Sequence, residues 1–414
     1  MQIRMPGDKS VSHRALMLAA LADGTSKLTN LSRGIDVAST RRCLEQCGIP
    51  IRDEGDQVIV EGQGGVFQSP SDDLDAGNAG TTARLITGLL AGRGIEARIT
   101  GDDSLSRRPM NRITDPLQQM GANIRPTLRG TLPITLLPAA LDSLKYEMPI
   151  ASAQVKSSLL LAGMASEGKV IITEPIPSRN HTELMLEALG VNIETSGDQI
   201  ILGPGKQSVS SFEFEIPGDP SSVAFVVALA LMLPDFETTF EDILLNPYRM
   251  GFIKTVQKMG ADITWESKHK ALGEEVGSIT VRSSELQSIK ISGSEIPTLI
   301  DEIPILAILA SRAHGATVIR DAGELRVKES DRIKTVCENL KRMGVRVQEL
   351  ADGFRIWGPA NLREARIRTY GDHRIAMAFA VAGRIAAGTT TLDYPESVEI
   401  SFPDFFDVIK QISP

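Results

Sequence analysis

One pattern recurs along this 414-residue chain and restricts its fold more than any other. A helix-like segment closes on a glycine and runs into a short alternating strand. It reads Leu44-Glu45-Gln46-Cys47-Gly48, and then Leu117-Gln118-Gln119-Met120-Gly121. It returns as Leu186-Glu187-Ala188-Leu189-Gly190, Val256-Gln257-Lys258-Met259-Gly260 and Leu340-Lys341-Arg342-Met343-Gly344. These glycines lie 73, 69, 70 and 84 residues apart. Glycine just past a helix end adopts the left-handed conformation without a Cβ penalty, so each should stop a helix. Strand-like runs such as Gln57-Val58-Ile59-Val60 and Asp198-Gln199-Ile200-Ile201-Leu202 follow. A period of about 70 residues predicts about six βαβ–αβ units, the last cut short near Phe405–Ile409.

A second repeat divides the six. Pro6-Gly7-Asp8-Lys9-Ser10-Val11 is echoed by Pro217-Gly218-Asp219-Pro220-Ser221-Ser222-Val223, and each copy enters an apolar helical stretch. A chain of this length suits two domains. The sequence therefore predicts an α/β fold of two similar domains with three units each. The first spans 9–216, and the second 1–8 plus 217–414. The two turns would form a two-crossing hinge, and ligand sites favour such interdomain clefts. Only the first copy carries Lys9, His13 and Arg14. The fold would need the turn, and a ligand the charge.

Composition narrows the chemistry. The net charge is −8 and aromatic residues make up 4%. That disfavours a broad grip on nucleic acid, which needs positive charge and stacking platforms. A few basic side chains converging on a cleft could still dominate locally for a small anion. Three cysteines make no disulfide framework and fit a reducing cytoplasm. Cys43 and Cys47 read as small buried side chains. No signal peptide is visible, and the apolar run Val223–Leu233 is too short to cross a bilayer. The five histidines show no metal spacing, and no phosphate-loop or dinucleotide fingerprint is present. Neither metal nor cofactor is expected.

Several polar turns open apolar helices: Asp75–Thr82, Ser152-Ala153-Gln154, Asp301-Glu302-Ile303-Pro304 and Gly371-Asp372-His373-Arg374. Helix N-termini offer unpaired N–H groups and a positive dipole end to an anion. Asp, Ser, Asn and Gly also cap helices with no ligand involved. Basic neighbours favour the ligand: Lys9 and Arg14, Arg107-Arg108, Arg326 to Arg332, and Arg374. On a helix, Lys328 and Arg332 would share one face with Glu329 beside them, a clamp for phosphate or carboxylate with an acid attached. Asp372 is expected to cap, His373 to orient or pack, and His13 to be structural. These residues describe a cytosolic two-domain enzyme that closes on a small polyanion.

Seven segments in this order resemble the 5-enolpyruvylshikimate-3-phosphate synthase family of enolpyruvyl transferases. They are Pro6–Arg14, Gly77–Thr81, Arg107–Pro109, Ser152–Gln154, Leu325–Arg332, Tyr370–Arg374 and Phe402-Pro403-Asp404. The resemblance implies two domains built as inside-out α/β barrels that close on their ligands. It also implies a monomer without cofactor. The implied reaction joins the 5-hydroxyl of shikimate 3-phosphate to C2 of phosphoenolpyruvate while C3 is protonated. The tetrahedral ketal then loses phosphate. Carried over, Lys9 touches both substrates. Ser10, Arg14, Ser152, Gln154, Ser178, Asp301 and Lys328 hold shikimate 3-phosphate. Gly80, Arg108, Gln154, Arg332 and Arg374 hold phosphoenolpyruvate, with Asn78 nearby. Asp301 acts as the base and Glu329 carries the proton of the methylene group.

The chain departs from some relatives. Five residues precede Pro6 where others have another strand. Ala153 replaces a serine, His181 a tyrosine, and Ile400 a lysine. The alternative is the sister transferase acting on UDP-N-acetylglucosamine. Its characteristic cysteine belongs in the loop that here runs Gly101–Pro116, which has none. A nucleic-acid-end enzyme of related architecture is disfavoured by the acidic charge. A catalytically dead polyanion binder would not need Asp301 and Glu329 together.

Overall fold

The structure is a computed structural model and describes residues 2–412. Its chain forms two compact units. One contains Gly7–Ile216 and Lys270–Glu274; the other contains Met1–Pro6, Pro217–His269 and Glu275–Pro414. The first is called here the amino-terminal unit and the second the carboxy-terminal unit.

Among the described residues six sheets form, three in each unit. Five have four or five strands; the sixth, Arg366–Ile367 with Thr391–Leu392, has two. The typical sheet combines one parallel and two antiparallel pairings. Val170–Thr173 runs parallel to Leu144–Glu147 and antiparallel to Gln199–Leu202, which also pairs antiparallel with Ile193–Ser196. The five helix-ending glycines all have positive φ, from 79° at Gly190 to 98° at Gly121.

The helices form the apolar interior of each unit. Lys9–Leu21 is buried from Val11 onward, and Pro220–Met232 from Pro220 to Leu231. A helix buried on every side carries no solvent face, which explains the nearly all-apolar sequence of Pro220–Met232. Each follows a Pro-Gly-Asp turn, and the aspartate caps it. Asp8 accepts from the Val11 N–H, and Asp219 from the Ser221 N–H, both at 2.8 Å. Gln2–Ile3 adds a parallel strand beside Thr239 and Phe240, with Ile3 and Met5 buried. Gln2–Ile3 is thus an edge strand of a sheet in the carboxy-terminal unit.

Two boundaries differ from the expected 1–8 and 217–414. Gly7 and Asp8 group with the amino-terminal unit. A Cβ on Gly7 would lie 1.8 Å from the Asn30 carbonyl oxygen, so only glycine fits that approach. Lys270–Glu274 also groups there. It is the tip of the hairpin between Asp262–Ala271 and Glu274–Arg282, turned by Leu272 and Gly273 at positive φ. Glu274 is fully buried, with His181 Nδ1 2.6 Å from its carboxylate. No helix among the described residues is long and apolar enough to cross a membrane.

Candidate active site

The amino-terminal unit gathers cations around three helix starts. Lys9 and Arg14 lie on Lys9–Leu21, Gly80 and Arg84 on Gly80–Gly92, and Gln154 on Ala153–Gly163. Lys9 Nζ pairs with Asp36 Oδ2 at 2.8 Å. Arg14 is buried, and among the described residues its hydrogen bonds go to neutral oxygens. Its Nε donates to Thr182 Oγ1 at 2.8 Å, Nη1 to the Ser10 carbonyl at 2.8 Å and Nη2 to Ser157 Oγ at 2.7 Å. Burial pulls its pKa down to about 10, against the opposing charges of Glu183 and Asp8. A guanidinium held by hydroxyls remains available to an anion.

Gly80, Arg108 and Gln154 lie close to one another, linked through Arg84, Thr81 and Asn78. Gln154 Nε2 donates to Thr81 Oγ1 at 2.9 Å, and its Oε1 accepts from Arg84 Nη1 at 2.9 Å. Arg108 Nη2 donates to Asn78 Oδ1 at 2.6 Å. Gly80 leaves room for two guanidiniums: a Cβ there would stand 2.6 Å from Arg84 Nη1 and 3.4 Å from Arg108 Nη1. Ser152 caps its helix by accepting from the Val155 N–H at 3.4 Å. Ser178 is buried and donates to Glu174.

The carboxy-terminal unit centres on Arg332. Its guanidinium is 2% exposed and faces three carboxylates. Nε meets Asp372 Oδ2 at 2.8 Å, Nη2 meets Glu329 Oε2 at 2.7 Å, and Nη1 lies 3.5 Å from Asp301 Oδ1. Lys328 Nζ approaches the same Asp301 oxygen at 3.5 Å. These carboxylates hold the Arg332 pKa above its ordinary value despite the opposing effect of burial. Arg374 is buried, 4.0 Å from Glu302 and 5.9 Å from the Phe225 ring.

The expected helix through Lys328 and Arg332 does not form. A 3-10 turn ends at Val327 and the α-helix begins at Arg332, capped by Asp331, which accepts from the Lys334 N–H at 3.0 Å. Lys328 and Arg332 instead both lie 3.5 Å from Asp301 Oδ1, without sharing a helix face. Asp301 sits in the 3-10 turn Ile300–Glu302, one residue before Glu302, the N-cap position of the helix Ile303–Arg312. Asp372 does cap, accepting from the Arg374 N–H at 2.9 Å, and it also holds Arg332.

His13 and the cysteines are structural in setting. His13 Nδ1 is 2.6 Å from Thr40 Oγ1, and burial, then Lys9 and Arg14, hold its pKa well below the ordinary value. Burial pushes the thiols of Cys43, Cys47 and Cys337 up to about 12. Among the described residues no group of three or more His, Cys, Asp or Glu side chains is arranged to hold a metal.

Sequence reasoning missed Asp36, Arg84 and Arg249. Arg249 donates to Asp219 Oδ1 and to Ser221 Oγ, both at 2.8 Å. The second Pro-Gly-Asp turn thus has a buried cation after all, supplied 30 residues away.

Comparison with known proteins gives one consistent relationship. The profile of the family described as EPSP synthase (3-phosphoshikimate 1-carboxyvinyltransferase) matches residues 1–409. The 3-phosphoshikimate 1-carboxyvinyltransferase of Thermoanaerobacter sp. (strain X514) is 44% identical over 404 residues, covering 98% of this chain and 95% of the relative. That of Bacillus thuringiensis subsp. konkukian (strain 97-27) is 43% identical, covering 99% and 96%. The solved EPSP synthase from Acinetobacter baumannii aligns with a TM-score of 0.89 at 38% identity, covering 100% of this chain and 95% of that one. The enolpyruvyl transferase NikO from Streptomyces tendae aligns at 0.78 with 18% identity over 100% of this chain and 94% of its own, a likeness of fold.

Proposed function

Because this chain belongs to the EPSP synthase family, and so transfers the enolpyruvyl group of phosphoenolpyruvate to shikimate 3-phosphate on the way to chorismate, we propose that its two charged clusters divide that chemistry between them. Lys9, Ser10, Arg14, Ser152, Gln154 and Ser178 hold shikimate 3-phosphate, with Lys328 and Asp301. Gly80, Arg108, Gln154, Arg332 and Arg374 hold phosphoenolpyruvate, with Lys9 touching both. Closure of the two units, hinged near Pro6 and Pro217, completes the grip. The enzyme works as a cytoplasmic monomer with no metal or cofactor.

Asp301 accepts the proton of the 5-hydroxyl as its oxygen attacks C2 of phosphoenolpyruvate. Glu329 delivers a proton to C3, giving the tetrahedral ketal. The C2–O bond to phosphate then breaks as Glu329 recovers a proton from the new methyl group, and the enol ether forms. Cations placed where charge develops do the electrostatic part of the work. The observation that carries this assignment is the position of Asp301. Two cations, Lys328 and Arg332, stand 3.5 Å from one of its oxygens, and Arg332 also ties down Glu329. One guanidinium thus orients the base and the proton carrier.

Phosphate release with both substrates, followed in Asp301→Asn and Glu329→Gln, tests the roles. A positioned acid or base contributes about 10²–10⁴-fold, so kcat should fall by that order, far more than either KM changes. Near-normal turnover in either variant would overturn its role.

A further inference from the structure

Lys156 is one of the largest fully buried side chains in the protein, yet it carries a charge. Its Nζ lies 2.7 Å from Glu174 Oε2 and 2.7 Å from Glu183 Oε1. Burial acts to lower its pKa, and the two carboxylates outweigh that and raise it. Three ionised groups withdrawn from water add little net stability over apolar side chains of similar size, so stability alone does not account for them.

Their placement does. Glu174 directly follows the strand Val170–Thr173, and Glu183 lies in the first turn of the helix His181–Ala188. One ammonium therefore pins both ends of the connecting loop, which carries Ser178. The other oxygen of Glu174 accepts from the Ser178 hydroxyl.

The same two helices hold Arg14 one residue along. Ser157 follows Lys156, and Thr182 precedes Glu183. The hydroxyls of Ser157 and Thr182 are 2.7 Å apart, and both accept from the Arg14 guanidinium. An ionic rung, Lys156–Glu183, thus lies beside a hydroxyl rung that grips Arg14. Among the nearby charges that counter its burial, Glu183 acts most strongly on Arg14. Lys156 holds Glu183 by Oε1, and among the described residues the buried Oε2 of Glu183 has no hydrogen-bond partner.

We propose that Lys156, Glu174 and Glu183 are positioning residues for the phosphate of shikimate 3-phosphate, fixing Ser178 and Arg14 before the ligand arrives. This rests on the assignment of those two residues to that substrate. A serine hydroxyl has one proton to donate. In the free enzyme Glu174 takes it. When phosphate claims it, Lys156 keeps the Glu174 carboxylate compensated, so the exchange leaves no bare buried charge.

A double-mutant cycle of Ser178→Ala and Glu174→Gln tests the proposal, with both KM values, kcat and the urea midpoint measured at each corner. Each single variant should raise KM for shikimate 3-phosphate about tenfold, as expected for a lost charge-assisted hydrogen bond. KM for phosphoenolpyruvate and kcat should stay unchanged. In the Ser178→Ala background, Glu174→Gln should add almost nothing. Additive effects, or equal rises in both KM values, would overturn the positioning role alone. An unchanged KM in Ser178→Ala would overturn the assignment of Ser178, and the proposal with it. A Glu174→Gln chain too unstable to assay is replaced by the Lys156→Gln/Glu174→Gln pair, which removes opposite charges together and is read on the same cycle.

Discussion

Arg332 and Asp372 form a two-point ion pair, Nε to Oδ2 at 2.8 Å and Nη2 to Oδ1 at 3.2 Å, with the carboxylate fully buried. The same carboxylate accepts the backbone N–H of Arg374. One aspartate therefore sets the direction of one arginine and the helix start that carries the other. Both arginines are assigned to phosphoenolpyruvate. Asp372→Asn keeps a competent helix cap but removes the countercharge. Breaking one partner of a buried pair costs about 3 kcal/mol or more, and Arg332 retains Glu329. The variant should lose about that much stability in urea unfolding and show a raised KM for phosphoenolpyruvate. An unchanged midpoint would mean the pair is already solvated.

Gly80→Ala separates binding from folding. The added Cβ would meet the ends of two flexible side chains, Arg84 and Arg108, rather than backbone. The fold should accept it, since alanine favours a helix by up to about 1 kcal/mol over glycine. Arg84 must move, and it holds Gln154 through a 2.9 Å hydrogen bond. KM for phosphoenolpyruvate should rise about tenfold, a shift of about 1.4 kcal/mol, with no loss of thermal stability. A normal KM would place the ligand away from this helix start.

How much of this was legible in the sequence follows from the range of each interaction. The helix-ending glycines and the two Pro-Gly-Asp caps are local, within a few residues, and could be read directly. Asp331 was also a local signal, a cap three residues before Lys334, and it stops the helix from extending back to Lys328. That cap is what denies Lys328 and Arg332 a common helix face. Lys9–Asp36, Arg84–Gln154 and Arg332–Asp372 join residues 27, 70 and 40 apart, and no spacing rule reaches them. Lys156 was hidden for another reason: charged residues are seldom fully buried unless paired, and its partners lie 18 and 27 positions on.

The thiols should be inert. Cys43, Cys47 and Cys337 are free and buried, and burial holds each pKa at about 12. The thiolate is the reactive form, so little is present at neutral pH. A disulfide reagent should label none of the three in the native protein over the time in which all three react in urea. Rapid labelling of one thiol in the folded state would contradict its burial.

His13 should make the protein sensitive to mild acid. It is fully buried beside Thr40, and its Nε2 has no hydrogen-bond partner. Burial, with Lys9 and Arg14 adding to it, holds the folded-state pKa well below 6.5. The unfolded chain takes up a proton near its ordinary pKa, about 6.5, while the folded chain does not. Stability is therefore fully present above that pH and is lost as the pH falls below it. For one proton the loss approaches about 1.4 kcal/mol per pH unit. His13→Gln keeps a polar side chain able to reach Thr40 and removes the titration. Its urea midpoint should fall less steeply than that of the parent between about pH 6.5 and pH 5. Parallel pH profiles would show that the folded protein accommodates a charged His13, and the acid sensitivity would then arise elsewhere.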